Sequence, residues 1–134
     1  MKKNQYKYYI IKDKSLIIEV LSGSFDFVEY LNLKQLQIED ADYNPNFNII
    51  IDIRNIEESN ISEKTIKEYA DNIKPVQLFN TKIKVAIITN SPSQVVGALL
   101  YKLFENKSIE YKVFSTIEYT LNWLGIIDLN HKLL

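Results

Sequence analysis

Residues 47–53, FNIIIDI, and residues 82–89, KIKVAIIT, are the most informative stretches of this chain. In each, β-branched residues stand side by side instead of alternating with polar ones. Strands of this kind are buried on both faces, as they are inside a parallel sheet. We therefore expect the two stretches to be neighbouring interior strands that run in the same direction.

Three further strands are predicted around this pair. Residues 6–11 and 16–21 are rich in strand-forming residues, and the four polar residues between them are short enough for a hairpin. The first of these strands should therefore run antiparallel to the second. The fifth strand is predicted over residues 110–114.

The first helix is predicted after residues 22–24, SGS, which are expected to end the second strand. Ser24 can accept hydrogen bonds from the N–H groups of the first helical turn. We expect Phe27 to pack inward and Tyr30 to lie half exposed. Helical spacing assigns the packed face to Phe27, Val28, Leu31, Gln35 and Ile38.

Three more helices follow from start and stop signals. One starts near Asn60 or Ser62 and ends before Pro75, the next starts at residues 91–94, and the last runs from residues 115–118 to Gly125. The order ββαβαβαβα predicts an α/β domain with one five-stranded, mostly parallel sheet. We take residues 1–134 as a single domain, with a core of about 6–125 and an apolar tail at 126–134 whose docking place is open.

Composition limits the possible partners. The 134 residues carry 16 basic and 17 acidic side chains, so no strong positive field attracts nucleic acid. The chain has no cysteine, which excludes disulfides, thiolate zinc sites, iron–sulfur clusters and a cysteine nucleophile. No signal-peptide core or bilayer-spanning stretch is present in the sequence, so we expect a cytoplasmic protein.

No catalytic or metal-binding pattern is visible. His131, the one histidine, lies near the C-terminal end, and residues 39–42, EDAD, lack the spacing of a calcium loop. Gly23, Gly97 and Gly125 are too few to build a phosphate loop or a dinucleotide-binding motif. We predict no cofactor and no metal.

Candidate binding residues lie where the third and fourth strands end, because open parallel sheets bind ligands at that edge. Asp52 interrupts an isoleucine-rich strand and must be paired, with Arg54 as the expected partner. The helix starts around Ser62 and Ser91 could hold an anion, although such residues are commoner as helix caps. Gly97 could allow a strand, a partner or a ligand to approach closely.

Aromatic residues cluster around the start of the first helix. Phe25, Phe27 and Tyr30 could line a pocket or an interface there. The same residues could equally serve as core packing, and the sequence leaves both interpretations open.

Three stretches resemble a known family: residues 48–56, NIIIDIRNI, residues 84–89, KVAIIT, and residues 113–125, VFSTIEYTLNWLG. Their order and spacing resemble the STAS-like superfamily, and more narrowly the stand-alone bacterial SpoIIAA-like proteins. The resemblance covers roughly residues 6–125. It implies a wound β-α domain related in topology to the CRAL-TRIO lipid carriers.

The resemblance also implies binding rather than catalysis, either to a protein partner or to a small apolar ligand. In anti-sigma factor antagonists of this superfamily, a phosphorylatable serine opens the helix after the third strand. That position falls on Ser62 here, where residues 60–63 read NISE in place of the family's Asp-Ser-x-Gly segment.

Three functional hypotheses remain. The first is a non-catalytic STAS-like binding or regulatory module whose first helix start and third-strand loop contact a protein partner; a homodimer is also possible. The second is a carrier of a small apolar or lipid-like ligand, lined by Phe25, Phe27, Tyr30 and the third helix. The third is a carboxylate-based enzyme that uses Asp52.

Overall fold

The computed structural model describes residues 3–57, 83–90 and 109–129. Their elements are β1 Gln5–Ile11, a 3-10 turn Lys12–Lys14, β2 Leu16–Ser24, α1 Phe27–Glu39, β3 Asn48–Glu57, β4 Ile83–Ile88, β5 Ile109–Phe114 and α2 Ile117–Leu124. The second and third predicted helices, with Ser62, Ser91 and Gly97, lie outside the described residues.

The five strands form one sheet in the order β1-β2-β3-β4-β5. β1 and β2 pair antiparallel, and the remaining neighbours pair parallel. The two apolar stretches are adjacent, since Ile50 lies opposite Ala86 and Asp52 lies opposite Ile88. The predicted fold class, a mixed five-stranded α/β sheet with an antiparallel first strand, is confirmed.

β2 is longer than predicted. The SGS segment does not end the strand, because Ser22, Gly23 and Ser24 pair with Asn55, Ile56 and Glu57 of β3. Gly23 has a φ of +96°, and an added Cβ would lie 2.8 Å from Asn4 Cα and closer still to Asn4 Oδ1. Position 23 therefore requires glycine, because a larger residue would clash with the backbone of Asn4. With glycine there, the strand continues through this position.

Each face of the sheet carries its own apolar core. On one face, Tyr30 and Leu33 of α1 share a core with strand residues such as Ile17, Ile51 and Val85, and α1 also contacts β1. On the other face, α2 covers Ile18, Ile50 and their neighbours. The alternation of strand side chains between faces explains why the runs had to be apolar at every position.

The predicted packed face of α1 is wrong at three of its five positions, while Leu31, a fourth, does pack against the core. Val28 is 59% exposed and Ile38 is 40% exposed, and Gln35 is also exposed. The helix turns a different side to the sheet, on which Tyr30, Leu33, Lys34 and Gln37 are buried. Counting apolar residues alone missed this side, because two of its four members are polar.

The N-cap of α1 also differs from the prediction. Asp26, not Ser24, caps the helix, and its Oδ1 accepts a hydrogen bond from the Glu29 N–H at 3.1 Å. An aspartate in this position also suits the positive end of the helix dipole.

α2 and the tail close the second face. Thr116 caps the helix start, and Gly125 ends it with a φ of +70°, as the sequence predicted. The Ile126 N–H then bonds to the Leu121 carbonyl at 2.9 Å, and Leu129 is buried in the second core. The tail therefore docks on its own sheet as far as Leu129. No helix among the described residues is long and apolar enough to cross a bilayer.

Candidate functional site at the carboxyl edge of the sheet

β2 and β3 extend further than their neighbours at the carboxyl edge. The last β3–β4 pair is Asp52 with Ile88, whereas β2 and β3 continue to pair as far as Ser24 with Glu57. We call the surface formed by residues 22–29, residues 54–57 and Asn90 the carboxyl rim. Asn90 closes one side of it by donating a hydrogen bond from Nδ2 to the Arg54 carbonyl at 3.2 Å.

Asp52 stabilises an irregularity in β3. Between the pairs Val20–Asp52 and Ser22–Asn55, β3 advances three residues while β2 advances two. The Arg54 N–H displaced by this bulge donates to Asp52 Oδ1 at 3.1 Å. The Asp52 carboxylate therefore holds the segment that follows it.

The expected Asp52–Arg54 pair is present. Arg54 Nε donates to Asp52 Oδ1 and Arg54 Nη2 donates to Asp52 Oδ2, both at 2.9 Å. These hydrogen bonds raise the pKa of the Arg54 guanidinium, and the nearby Glu118 carboxylate acts in the same direction. The Asp52 carboxylate is therefore buried and paired with Arg54 instead of being open to solvent.

The β2–α1 corner of the rim is fixed by β1. The Tyr6 hydroxyl donates to the Ser24 carbonyl and accepts from the Asp26 N–H at 2.7 Å. Asn4 Oδ1 accepts from the Ser24 N–H at 2.8 Å and from the Ser24 hydroxyl at 3.1 Å. Partial burial raises the pKa of Tyr6 to about 12, so its hydroxyl keeps the donating proton at neutral pH.

The rim presents both apolar and polar side chains to solvent. Val28, in the first turn of α1, is 59% exposed. Asn55, Glu57 and Asn90 are also exposed. The rim therefore combines one exposed aliphatic side chain with exposed polar ones.

Two of the three aromatic candidates, Phe25 and Tyr30, do not present their side chains at this surface. Phe25 is 5% exposed and Tyr30 is fully buried, both in the core under α1. The expectation that Tyr30 is half exposed is wrong, because its hydroxyl is drawn inward to Glu19. Phe27 is the first residue of α1, and its side chain is outside the described part of the structure.

Aromatic and carboxylate candidates lie on opposite faces of the sheet. Asp52 stands between Ile51 and Ile53, which both point into the core under α1, so the Asp52 side chain points to the other face. The structure therefore does not combine Phe25 and Tyr30 with Asp52 and Arg54 in one site.

A buried polar cluster under α1 was not predicted. Glu19 is fully buried on β2, accepts from the Tyr30 hydroxyl at 2.9 Å and Gln37 Nε2 at 2.7 Å, and forms an ion pair with Lys34 Nζ at 2.5 Å. Burial and the nearby Glu19 carboxylate raise the pKa of Tyr30. Glu19 inside the run LIIEVL was the available sequence signal, but nothing in the sequence pointed to Lys34 as its partner.

A shallow depression opens beside this cluster, between the C-terminal half of α1 and the loop that leads to β3. Its walls include Lys34, Gln37, Tyr43 and Phe47, and its enclosed part has room for no more than about one water molecule. Small-molecule pockets, in contrast, enclose most of their ligand. Neither Phe25 nor Tyr30 lines the depression, so it differs from the predicted apolar pocket.

Within residues 3–57, 83–90 and 109–129, no three histidine or acidic side chains come close enough to hold a metal ion. In the described part of this edge, the Asp52 carboxylate and the Arg54 guanidinium are paired with each other.

Comparisons with known proteins agree with this fold. No family model matches the chain, and no curated protein matches it. A solved structure does match: an uncharacterised protein from the DUF3478 family with a SpoIIAA-like fold, from Shewanella loihica PV-4. The two share 18% sequence identity, with a TM-score of 0.59 over 92% of this chain and 97% of that one. This chain therefore has a SpoIIAA-like fold, as its sequence stretches predicted.

Proposed function

We propose that this protein is a non-catalytic binding or regulatory module that acts through a protein partner, and that the carboxyl rim contacts that partner. One observation carries the proposal: Val28 is 59% exposed on a corner that Asn4 and Tyr6 hold in place by hydrogen bonds. A surface that is already ordered loses little conformational entropy when it binds. The same proposal treats the chain as one cytoplasmic domain, in keeping with its lack of cysteine.

The other two hypotheses have less support. A carrier of an apolar ligand needs an enclosed apolar cavity; among the described residues the depression beside α1 is open and has Lys34 and Gln37 in its wall, and the third helix expected to line the cavity lies outside those residues. A carboxylate enzyme needs a carboxylate that faces substrate, whereas Asp52 is engaged by Arg54 through both oxygens. Phosphorylation of Ser62 stays a prediction.

The test uses two exposed aliphatic residues on the same helix. Val28 is 59% exposed at the rim, and Leu36 is 57% exposed two turns away. A photo-crosslinking amino acid is placed at position 28 or at position 36, and each variant is irradiated in cells of the source organism. We expect a discrete protein adduct from position 28 that is absent from position 36.

A second measurement separates binding from folding. Val28→Asp should abolish the adduct formed by a crosslinker placed at position 55, whereas Leu36→Asp should leave it intact. Both variants should keep the wild-type circular dichroism spectrum, because both side chains are largely in solvent. Equal adducts from positions 28 and 36, or none from position 28, would contradict the proposal.

A further inference from the structure

β5 is an outer strand of the described sheet. The order β1-β2-β3-β4-β5 places a described neighbour on one side of it only. Glu110, Lys112 and Val113 are exposed, and Val113 is exposed to 45%. An outer strand with exposed side chains and an open row of backbone groups can pair with a strand of another chain.

The charges of β5 lie on one face and alternate in sign. Glu110 and Lys112 are two residues apart, so both point to the face that carries α2. Lys112 Nζ lies 5.7 Å from the centre of the Phe114 ring, and among the described residues it has no carboxylate within ion-pair distance. The strand therefore presents an acidic and a basic side chain on the α2 face, next to the edge at which no described strand pairs with it.

These charges are self-complementary in one antiparallel register. If two β5 strands pair about a two-fold axis through Tyr111, each Glu110 lies opposite the Lys112 of the other copy. Registers centred on Glu110 or on Lys112 place like charges opposite each other and are disfavoured. We infer that two copies of this chain associate through antiparallel pairing of their β5 strands, centred on Tyr111.

The surroundings of β5 favour this arrangement. Glu110 pairs in register with Lys84 of β4, so in the dimer its carboxylate lies between two lysines. On the α2 face, the Trp123 ring packs 5.5 Å from the Phe114 ring, and Tyr119, one turn earlier on the same side of the helix, is 65% exposed. The second copy covers Val113 and brings its own α2 to the same face of one continuous sheet.

The carboxyl rim lies on other strands, so this inference and the proposed function are independent.

The test is a charge swap measured by sedimentation equilibrium. The wild-type chain is expected to be a concentration-dependent dimer. Glu110→Lys places two lysines opposite each other at two positions, and Lys112→Glu does the same with two glutamates. Each variant alone should raise the dimer dissociation constant by roughly ten- to a hundred-fold.

Mixing the two variants provides the decisive result. One chain then has lysine at both positions 110 and 112, while the other has glutamate at both. Opposite charges face each other at both positions, so a heterodimer should form with near wild-type affinity. Lys7→Glu on β1, the other outer strand, is the control and should leave the dimer unchanged, because Lys7 is exposed at the opposite edge.

Three outcomes would overturn the inference. The first is a wild-type chain that stays monomeric up to about 1 mM, a concentration at which even a dimer with a millimolar dissociation constant is well populated. The second is a mixture of the two variants that remains monomeric. The third is loss of the dimer in Lys7→Glu, which would assign self-association to β1 instead.

Discussion

Glu19 shows how a single residue can determine the orientation of a helix. Its carboxylate is fully buried on β2, and three side chains of α1, Tyr30, Lys34 and Gln37, bond to it. An ion pair with 5% and 0% exposure of its two side chains loses most of its hydration. Such a pair adds little net stability, but either partner alone in the core is costly.

The Glu19–Lys34 pair is predicted to show strong coupling in a double-mutant cycle. Glu19→Leu and Lys34→Met should each lower the free energy of unfolding by about 3–5 kcal/mol, because each leaves a buried charge without its partner. The double variant should recover part of that loss, since neither charge of the pair is then buried, while the hydrogen bonds from Tyr30 and Gln37 to Glu19 stay lost. Urea unfolding of the four proteins measures the coupling.

An exposed pair serves as the control for this cycle. Lys12 Nζ lies 3.4 Å from Asp42 Oδ1, but the two side chains are 67% and 51% exposed. Lys12→Met should therefore change the free energy of unfolding by less than about 1 kcal/mol. Purely additive losses at Glu19 and Lys34 would show that the two charges do not depend on each other.

At the scale of elements, the join between β2 and α1 depends on close contact with β1. Gly23 has a positive φ and lies against Asn4, whose side chain and backbone would both meet an added Cβ. Asn4 and Tyr6 then bond to Ser24 and Asp26. The corner that starts α1 is thus assembled by an antiparallel neighbour rather than by its own sequence.

Gly23→Ala is predicted to destabilise the protein by at least about 3 kcal/mol, from backbone strain together with the clash against Asn4. Gly125→Ala is the matched control: its φ is +70°, but nothing lies within 4 Å of the added Cβ. Strain alone should then cost about 1–2 kcal/mol. Equal losses in thermal or urea unfolding would show that contact with Asn4 is unimportant.

The starts of the interior strands were easier to predict than their ends or the rotation of α1. The start of β3 and both ends of β4 lie within one residue of their predicted places, because an apolar run begins clearly, but β3 continues to Glu57, beyond its predicted end at residue 53. β2 was extended beyond SGS by pairing with β3, a contact that no local pattern shows. α1 was placed correctly but rotated wrongly, because Lys34 and Gln37 are buried through bonds to a residue on another strand.

At the scale of the whole molecule, the two faces of the sheet pack against different segments of the described chain. Among the described residues, α1 packs on one face, whereas α2 and the segment up to Leu129 pack on the other. Leu129 is 8% exposed, while Ile127, two residues earlier, is 76% exposed. The tail is therefore part of the core on the second face at one position and solvent-exposed at another.

Leu129→Ala is predicted to lower the free energy of unfolding by about 2–4 kcal/mol, because it removes buried apolar volume from the second core. Ile127→Ala should change it by no more than about 0.5 kcal/mol, since that side chain is already in solvent. Urea unfolding of both variants tests the docking of the tail. A loss at Ile127 as large as that at Leu129 would contradict it.

The number of strands, their directions and the adjacent central pair could all be predicted from the amino-acid sequence. A strand that is buried on both faces needs apolar residues at consecutive positions. Residues 48–53 and 83–88 show such runs directly in the sequence. The buried side of α1, the pairing of Glu19 and the docking of Leu129 became visible only in the folded chain. Those features depend on contacts between residues on different elements, and a bond from Lys34 to Glu19 leaves no periodic trace in the sequence.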